Sequence, residues 1–463
     1  MRINNHIIIA FLLLFTFNKL NAQSLWKPVG IGQGIGSSTN IRCLYNDTID
    51  DLLYVGGWFT KIDNIDTVYC IAVWNGNNWS RMGMGLYNQA YDIIRYQNKI
   101  YVGGIFQSSD YNNVDSPYLA TWDGVQWDTV PGGKLNGAVQ NFEIINNELY
   151  VMGTFDSIGN MEANGIAKWN GITWSTVYNL PKLNNFNPNM IWDVAIYQGN
   201  TYVAGNFYDP FYNITDIAMY NGSSWQPVGS PPGMYGGLNI IGAMEVYNNE
   251  LYVVGDIKKA DGNAGNFIQK WDGSQWYDVG GGFSFQAVTL KEYNNELYVA
   301  GDFEYAANGL VKTSKIAKWD GSQWCGLRDS IDNSVLAIEF YHDTLIIAGG
   351  FWTLGGDTIH KIAQWTGGNY TDTCNVYVGI NDIPDLIDAV SIYPNPTNGS
   401  FTIVSNNFEN TTIEIYNVAG QLIAHQNLTQ NKTLVNLTTF SKGMYFVKVN
   451  TVNGVMVEKI IYN

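Results

Sequence analysis

Tyr54-Val55-Gly56-Gly57-Trp58-Phe59 is a phrase that this chain repeats. It returns at Tyr101 to Phe106, Tyr150 to Phe155, Tyr202 to Phe207, Tyr252 to Ile257, Tyr298 to Phe303 and Ile346 to Phe351, with starts 47, 49, 52, 50, 46 and 48 residues apart. The fourth position is glycine in every copy: Gly57, Gly104, Gly153, Gly205, Gly255, Gly301 and Gly349. About 20 residues after each start stands an aromatic: Trp74, Trp122, Trp169, Tyr220, Trp271, Trp319 and Trp365. Five residues further stands another: Trp79, Trp127, Trp174, Trp225, Trp276, Trp324 and Tyr370. Between the two lies Asn-Gly or Asp-Gly, as in Asn75-Gly76 and Asp320-Gly321, with Gly367-Gly368 in the last copy. Such pairs predict type I′ turns, in which both central residues take positive φ.

A further short strand and a polar turn, such as Phe142 to Ile145 before Asn146-Asn147, precede each phrase. Each unit therefore reads as four short strands. The second is apolar on successive residues (Leu149-Tyr150-Val151-Met152), as suits a strand covered on both faces. Four-stranded units recurring near 50 residues predict an all-β protein, a seven-bladed β-propeller. Trp26-Lys27-Pro28-Val29-Gly30 matches the outer-strand phrase Trp225-Gln226-Pro227-Val228-Gly229 but precedes the first full unit. We expect it to complete the seventh unit, because an open ring would expose strand edges.

The glycine-ended second strand, the aromatic after it and the Trp that opens the fourth strand resemble the kelch repeat. They also resemble the seven-bladed propeller of the galactose-oxidase type. The resemblance covers residues 23–375.

Residues 376–389 lack the repeat and read as a linker, and a small antiparallel β-sandwich of immunoglobulin-like kind is expected over 390–463. Tyr393-Pro394-Asn395-Pro396, the strand from Gly443-Met444-Tyr445 and the basic last strand at Lys459 resemble the type A C-terminal sorting domain of the type IX secretion system. That resemblance implies recognition by the secretion machinery, export across the outer membrane of a Gram-negative bacterium, removal of the domain and, often, attachment to surface lipopolysaccharide. Residues 1–22 read as a signal peptide: Arg2 supplies a positive start, Ile7 to Phe17 the apolar stretch, and Ala22 a small residue before the cut. The chain is thus expected to be secreted, or held at the outer cell surface, by way of the periplasm.

The net charge of −16 sets the surface against phosphate backbones and anionic lipid, so neither nucleic acid nor a membrane is an expected partner. Residues able to do chemistry are sparse. Beyond the signal peptide the histidines are His342, His360 and His425, and the arginines are Arg42, Arg81, Arg95 and Arg328, which fall at unrelated repeat positions. No nucleophile–base order, phosphate loop or metal-ligand spacing stands out. We expect no catalytic set, no metal and no cofactor, and hence a protein that is not an enzyme. Cys43 and Cys70 fall on strands separated by a third, roughly 10 Å across, beyond the ~7 Å reach of a disulfide. Cys325 and Cys374 can pair if the tail folds back.

In a four-stranded antiparallel blade, the 2–3 and 4–1 connections share one face. Here they are long and irregular: residues 107–117, 177–190, 208–215, 229–240 and 304–314. Variable loops on a rigid repeat are where recognition lives. They carry aromatics outside the repeat: Trp58, Tyr111, Tyr208, Phe211, Tyr212, Tyr305 and Trp352. These are the candidate binding residues, for a glycan or a protein. The alternatives are a glycan-processing enzyme with a site of unfamiliar form and a purely structural surface protein. Carboxylates facing the central channel with shifted pKa values would favour the enzyme, and a bare aromatic rim would favour binding.

Overall fold

The computed structural model describes residues 24–30, 40–180, 189–209, 214–229, 240–257, 266–327, 329–367, 374, 391–405, 411–418, 420–451 and 454–463. Residues 1–22, expected to be a signal peptide, residues 376–389, expected to be a linker, and Phe211, Tyr212, Arg328 and Tyr370 lie outside these residues.

Seven four-stranded antiparallel sheets follow one another through residues 26–365. Sheet 1 pairs Asn40–Asp47, Leu52–Trp58, Ile71–Trp74 and Trp79–Arg81 in that order. Sheets 2 to 6 repeat it, opening on Ala90–Tyr96, Val139–Ile145, Met190–Tyr197, Ile240–Tyr247 and Ala287–Tyr293. Sheet 7 consists of Val335–Tyr341, Thr344–Gly349 and Ile362–Trp365, and takes its fourth strand, Trp26–Pro28, from the other end of the chain. Trp26 lies opposite Trp365, Lys27 opposite Gln364 and Pro28 opposite Ala363. Consecutive first strands pack against one another, and that of sheet 7 packs against that of sheet 1, so the ring is closed and the first strands surround its axis.

The repeated glycine has a steric cause. A Cβ at Gly153 would lie 1.9 Å from the carbonyl oxygen of Ala138, one at Gly205 1.9 Å from that of Met190, and one at Gly349 2.1 Å from that of Ser334. The first strand crosses the second this closely because it carries a bulge at the same place in all seven sheets, skipping Arg42, Tyr91, Gln140, Trp192, Gly242, Val288 and Leu336 in turn.

The fourth-strand tryptophans latch the sheets together. The indole N–H of Trp79, Trp127, Trp174, Trp225, Trp276, Trp324 or Trp26 donates to the carbonyl of Val29, Met82, Pro131, Tyr178, Val228, Val279 or Leu327 respectively. Each acceptor lies just past the fourth strand of the preceding sheet, at 2.8–3.4 Å. Trp26 therefore does for sheet 7 what the in-line tryptophans do elsewhere, and its ring meets Trp365 edge-on at 4.9 Å. On the opposite face, Tyr96, Tyr197, Tyr247 and Tyr341 donate their hydroxyls to Asn147, Asn249, Asn295 and Asp51, each in the next sheet.

Two expectations are corrected. The Asn-Gly and Asp-Gly turns are not type I′, since only their glycines take positive φ. The Asn75 and Asp320 carboxamide or carboxylate oxygens instead accept the backbone N–H groups two and three residues on, closing a four-residue loop. Paired positive φ occurs in the 1–2 turns, at Asn146-Asn147 (50° and 62°) and Asn294-Asn295 (51° and 63°). The 2–3 connections are also more regular than their sequences read. Among the described residues, four contain a hairpin of two-residue strands: Lys61–Ile62 with Ile65–Asp66, Ser157–Ile158 with Met161–Glu162, Tyr305–Ala306 with Val311–Lys312, and Thr353–Leu354 with Asp357–Thr358. Ile62, Ile158, Ala306 and Leu354 are buried and anchor them.

Cys325 is disulfide-bonded to Cys374, which ties the chain beyond sheet 7 to the fourth strand of sheet 6. Cys43 and Cys70 are free thiols, both buried. Residues 391–462 form two further sheets, one of three strands and one of four. Phe401, Ile403, Ile413, Ile415, Val447 and Val449 make one core shared by both, a small sandwich.

Candidate functional site: the loop rim and the axial channel

The 2–3 and 4–1 connections do share a face. Single bridges join them at Leu86 with Ser109, Leu135 with Ile158, Phe283 with Ala306 and Ile331 with Leu354. Of the candidate aromatics, Trp58, Tyr111 and Tyr208 are exposed, at 41%, 39% and 55%, while Tyr305 and Trp352 are half-buried. The structure spreads these five over sheets 1, 2, 4, 6 and 7. Trp352 is partly committed, with the Lys361 ammonium 4.3 Å above its ring and the His360 ring edge-on at 5.1 Å. Tyr111 is not isolated. It stacks on Tyr69 at 4.1 Å and meets Tyr87 edge-on at 5.7 Å. Sequence reading missed Tyr69 and Tyr87, which sit in two other connections. The pairing that brings them together, Leu86 N–H to the Tyr69 carbonyl at 2.9 Å, becomes visible only once those connections share a face.

The first strands place five carboxylates and one lysine toward the axis: Asp92, Glu143, Asp193, Glu245, Glu339 and Lys291. Asp92 of sheet 2 feels the charges of Lys291 in sheet 6 and Glu339 in sheet 7, which are not its neighbours, so these groups face each other across the channel. Burial pushes the Asp92 and Asp193 carboxyls up to about 7. Burial, followed by the charges of Asp193, Asp92 and Glu245, pushes Glu143 up to about 8. Glu143 is enclosed by protein yet open to solvent within the channel, and water there screens part of this effect. Glu245 is also raised, again chiefly by burial.

Most of these carboxylates are already bonded. The two Asp92 oxygens accept the backbone N–H groups of Ile93 (2.8 Å) and, in the next sheet, Phe142 (2.8 Å). Asp193 accepts from Val194 N–H, from Asn141 Nδ2 in the preceding sheet (3.2 Å) and from Met244 N–H in the following one (2.6 Å). Glu339 accepts from Lys291 Nζ at 2.7 Å and from Phe340 N–H. They strap neighbouring sheets together around the axis. At the bulged positions Arg42 lies over the Tyr91 ring at 4.5 Å. Among the described residues, no group of three or more His, Cys, Asp or Glu is placed to hold a metal ion. His342 is spent at the opposite face on Asp51, at 2.5 Å.

The C-terminal sandwich decides where the chain goes. Residues 391–463 match the secretion system C-terminal sorting domain. This domain marks the chain for the type IX machinery, and so for release or display at the cell surface. No helix among the described residues is long and apolar enough to cross a membrane. A curated relative, the ulvan lyase NLR42 of Nonlabens ulvanivorans, is 34% identical over 79 residues, which is 17% of this chain and 15% of that protein. Three solved structures are similar at low identity. PorZ, a surface component of the type IX secretion system of Porphyromonas gingivalis, gives a TM-score of 0.44 at 15% identity, over 89% of this chain and 58% of its own. The extracellular domain of a hybrid two-component system from B. thetaiotaomicron gives 0.45 at 12%, over 94% and 59%. A fungal alcohol oxidase of the AA5 family, in complex with copper, gives 0.41 at 12%, over 93% and 99%. The chain spans less than two thirds of the first two, and the fold assignment rests on its own sheet pairing.

Proposed function

We propose that the exported chain is a binding module, with the rim of 2–3 and 4–1 connections as its recognition face and a glycan or a protein as its ligand. The observation that carries this reading is the state of the rim. Among the described residues, hairpins and bridges pin several of its connections, yet Trp58, Tyr111 and Tyr208 stay exposed. Rigid, exposed aromatics on an immobile scaffold lose little entropy when they bind. A glycan-array and pull-down screen of the full mature chain tests it. Capture of a defined ligand, lost on combined replacement of Trp58, Tyr111 and Tyr208 by alanine, is the expected result; a ligand held equally by the triple variant would overturn it.

A second reading, a glycan-processing enzyme, is favoured by the channel carboxyls with raised pKa values. Against it, Asp92, Asp193 and Glu339 are occupied as inter-sheet straps, which accounts for their burial without catalysis. Turnover of any polysaccharide by the wild type, abolished in Glu143→Gln, would establish this second reading instead.

A further inference from the structure

We propose that Tyr69, Tyr87 and Tyr111 form a platform for a neutral oligosaccharide. This rests on the rim being a recognition face, and it names the ligand class for one part of that rim.

Three observations converge. First, the rings are fixed but not hidden. Tyr87 is 49% exposed, yet it packs edge-on against a Tyr111 that is itself stacked on Tyr69. Second, the backbone that presents Tyr111 is strained. Asp110, Tyr111 and Asn112 take φ values of 48°, 46° and 76° in succession. The left-handed region is costly for a bulky side chain, and a fold retains such strain where the display of that side chain matters. Here Met84 N–H donates to Asp110 Oδ1 at 2.9 Å, holding the loop in place, and Tyr111 N–H reaches the Gly85 carbonyl at 3.4 Å. Third, the hydroxyls are unspent. The tyrosines of the opposite face give theirs to carbonyls of the next sheet. The hydroxyls of Tyr69, Tyr87 and Tyr111 have no hydrogen-bond partner among the described residues.

An apolar face with free phenols along its edge suits a pyranose. The sugar's C–H face covers an aromatic ring, and its hydroxyls exchange hydrogen bonds with phenol oxygens. A purely apolar partner would leave those phenols unpaired on burial. The net charge of −16 disfavours sulfated or uronate-rich polymers, so the ligand is neutral.

The test is calorimetric titration of the full mature chain with short neutral gluco-, xylo- and manno-oligosaccharides, and in parallel with sulfated and uronate-containing ones. At least one neutral series should bind. Tyr87→Ala and Tyr111→Asn should each weaken it by about tenfold at unchanged Tm, and Ile172→Ala, which alters an exposed side chain in a turn of the opposite face, should not. Asparagine is chosen because it tolerates the left-handed conformation. Neutral binding that survives in both variants but is lost in Tyr208→Ala overturns the platform while leaving the rim as the recognition face. Binding only of charged saccharides, or only of a protein, overturns the ligand class. Binding of no saccharide at all overturns the platform, and only an empty pull-down besides overturns the binding reading beneath it.

Discussion

A methyl group is too large for the fourth position of the repeated phrase. Gly153→Ala should therefore cost about 3 kcal/mol or more, because the obstacle is a backbone carbonyl that cannot swing away. Urea unfolding of the variant against wild type checks this, and a change below about 1 kcal/mol would mean that the bulged first strand can move aside. At this scale the sequence was half legible. The glycine and the tryptophan were plain as letters recurring at fixed spacing. Their reasons were not, since each depends on a group elsewhere: the Ala138 oxygen across the sheet for Gly153, and the carbonyl past the previous sheet for each indole. The Asn-Gly turns were misread for a related cause. The dipeptide favours positive φ at both residues only when the loop has two residues, and the Asn75 and Asp320 side chains stabilise a four-residue loop instead.

At the scale of the strand, the ring depends on Trp26–Pro28. Trp26 is nearly fully buried, packs on Trp365 and supplies one of the seven indole latches. Trp26→Ala should lower stability by about 3–5 kcal/mol, as for a large aromatic removed from a core. It should also make Ile362–Trp365 the first site of proteolytic cutting, read by mass spectrometry; a variant cut first elsewhere would remove this strand's role as the closure. The closing strand was legible because Trp26 to Gly30 repeats an outer-strand phrase. The small hairpins of the 2–3 connections were not. Their only recurrent mark is one buried apolar residue, Ile62, Ile158, Ala306 or Leu354, set among dissimilar polar ones. Tyr69 and Tyr87 escaped notice for the same reason, since their nearness depends on how two unlike connections bridge.

For the whole molecule, the axial carboxyls make stability depend on pH. A carboxyl has a pKa of about 4 in the unfolded chain. Asp92 and Asp193 sit near 7 in the ring and Glu143 near 8, so the folded state binds protons more tightly. Their contribution is complete below about pH 4 and is lost as the pH rises through about 7 to 8. Melting temperature should therefore fall between pH 5 and pH 8.5. Glu143→Gln, which breaks no hydrogen bond between described side chains, should reduce that fall; identical pH profiles for variant and wild type would show that channel water screens Glu143 completely.

Ring closure also sets an order of events. Gln364 bonds to the Pro28 carbonyl across 336 residues of chain, so the circle can shut only after nearly all of it has been made. The disulfide-tied tail and the sorting domain follow it. Whatever reads that domain meets a finished solid with a radius of gyration of roughly 20 Å. Drawing it through a narrow hole as a thread would first require pulling out Trp26 and then undoing every latch in turn. The gate in the outer membrane is thus expected to be wide enough to pass a folded cargo whole.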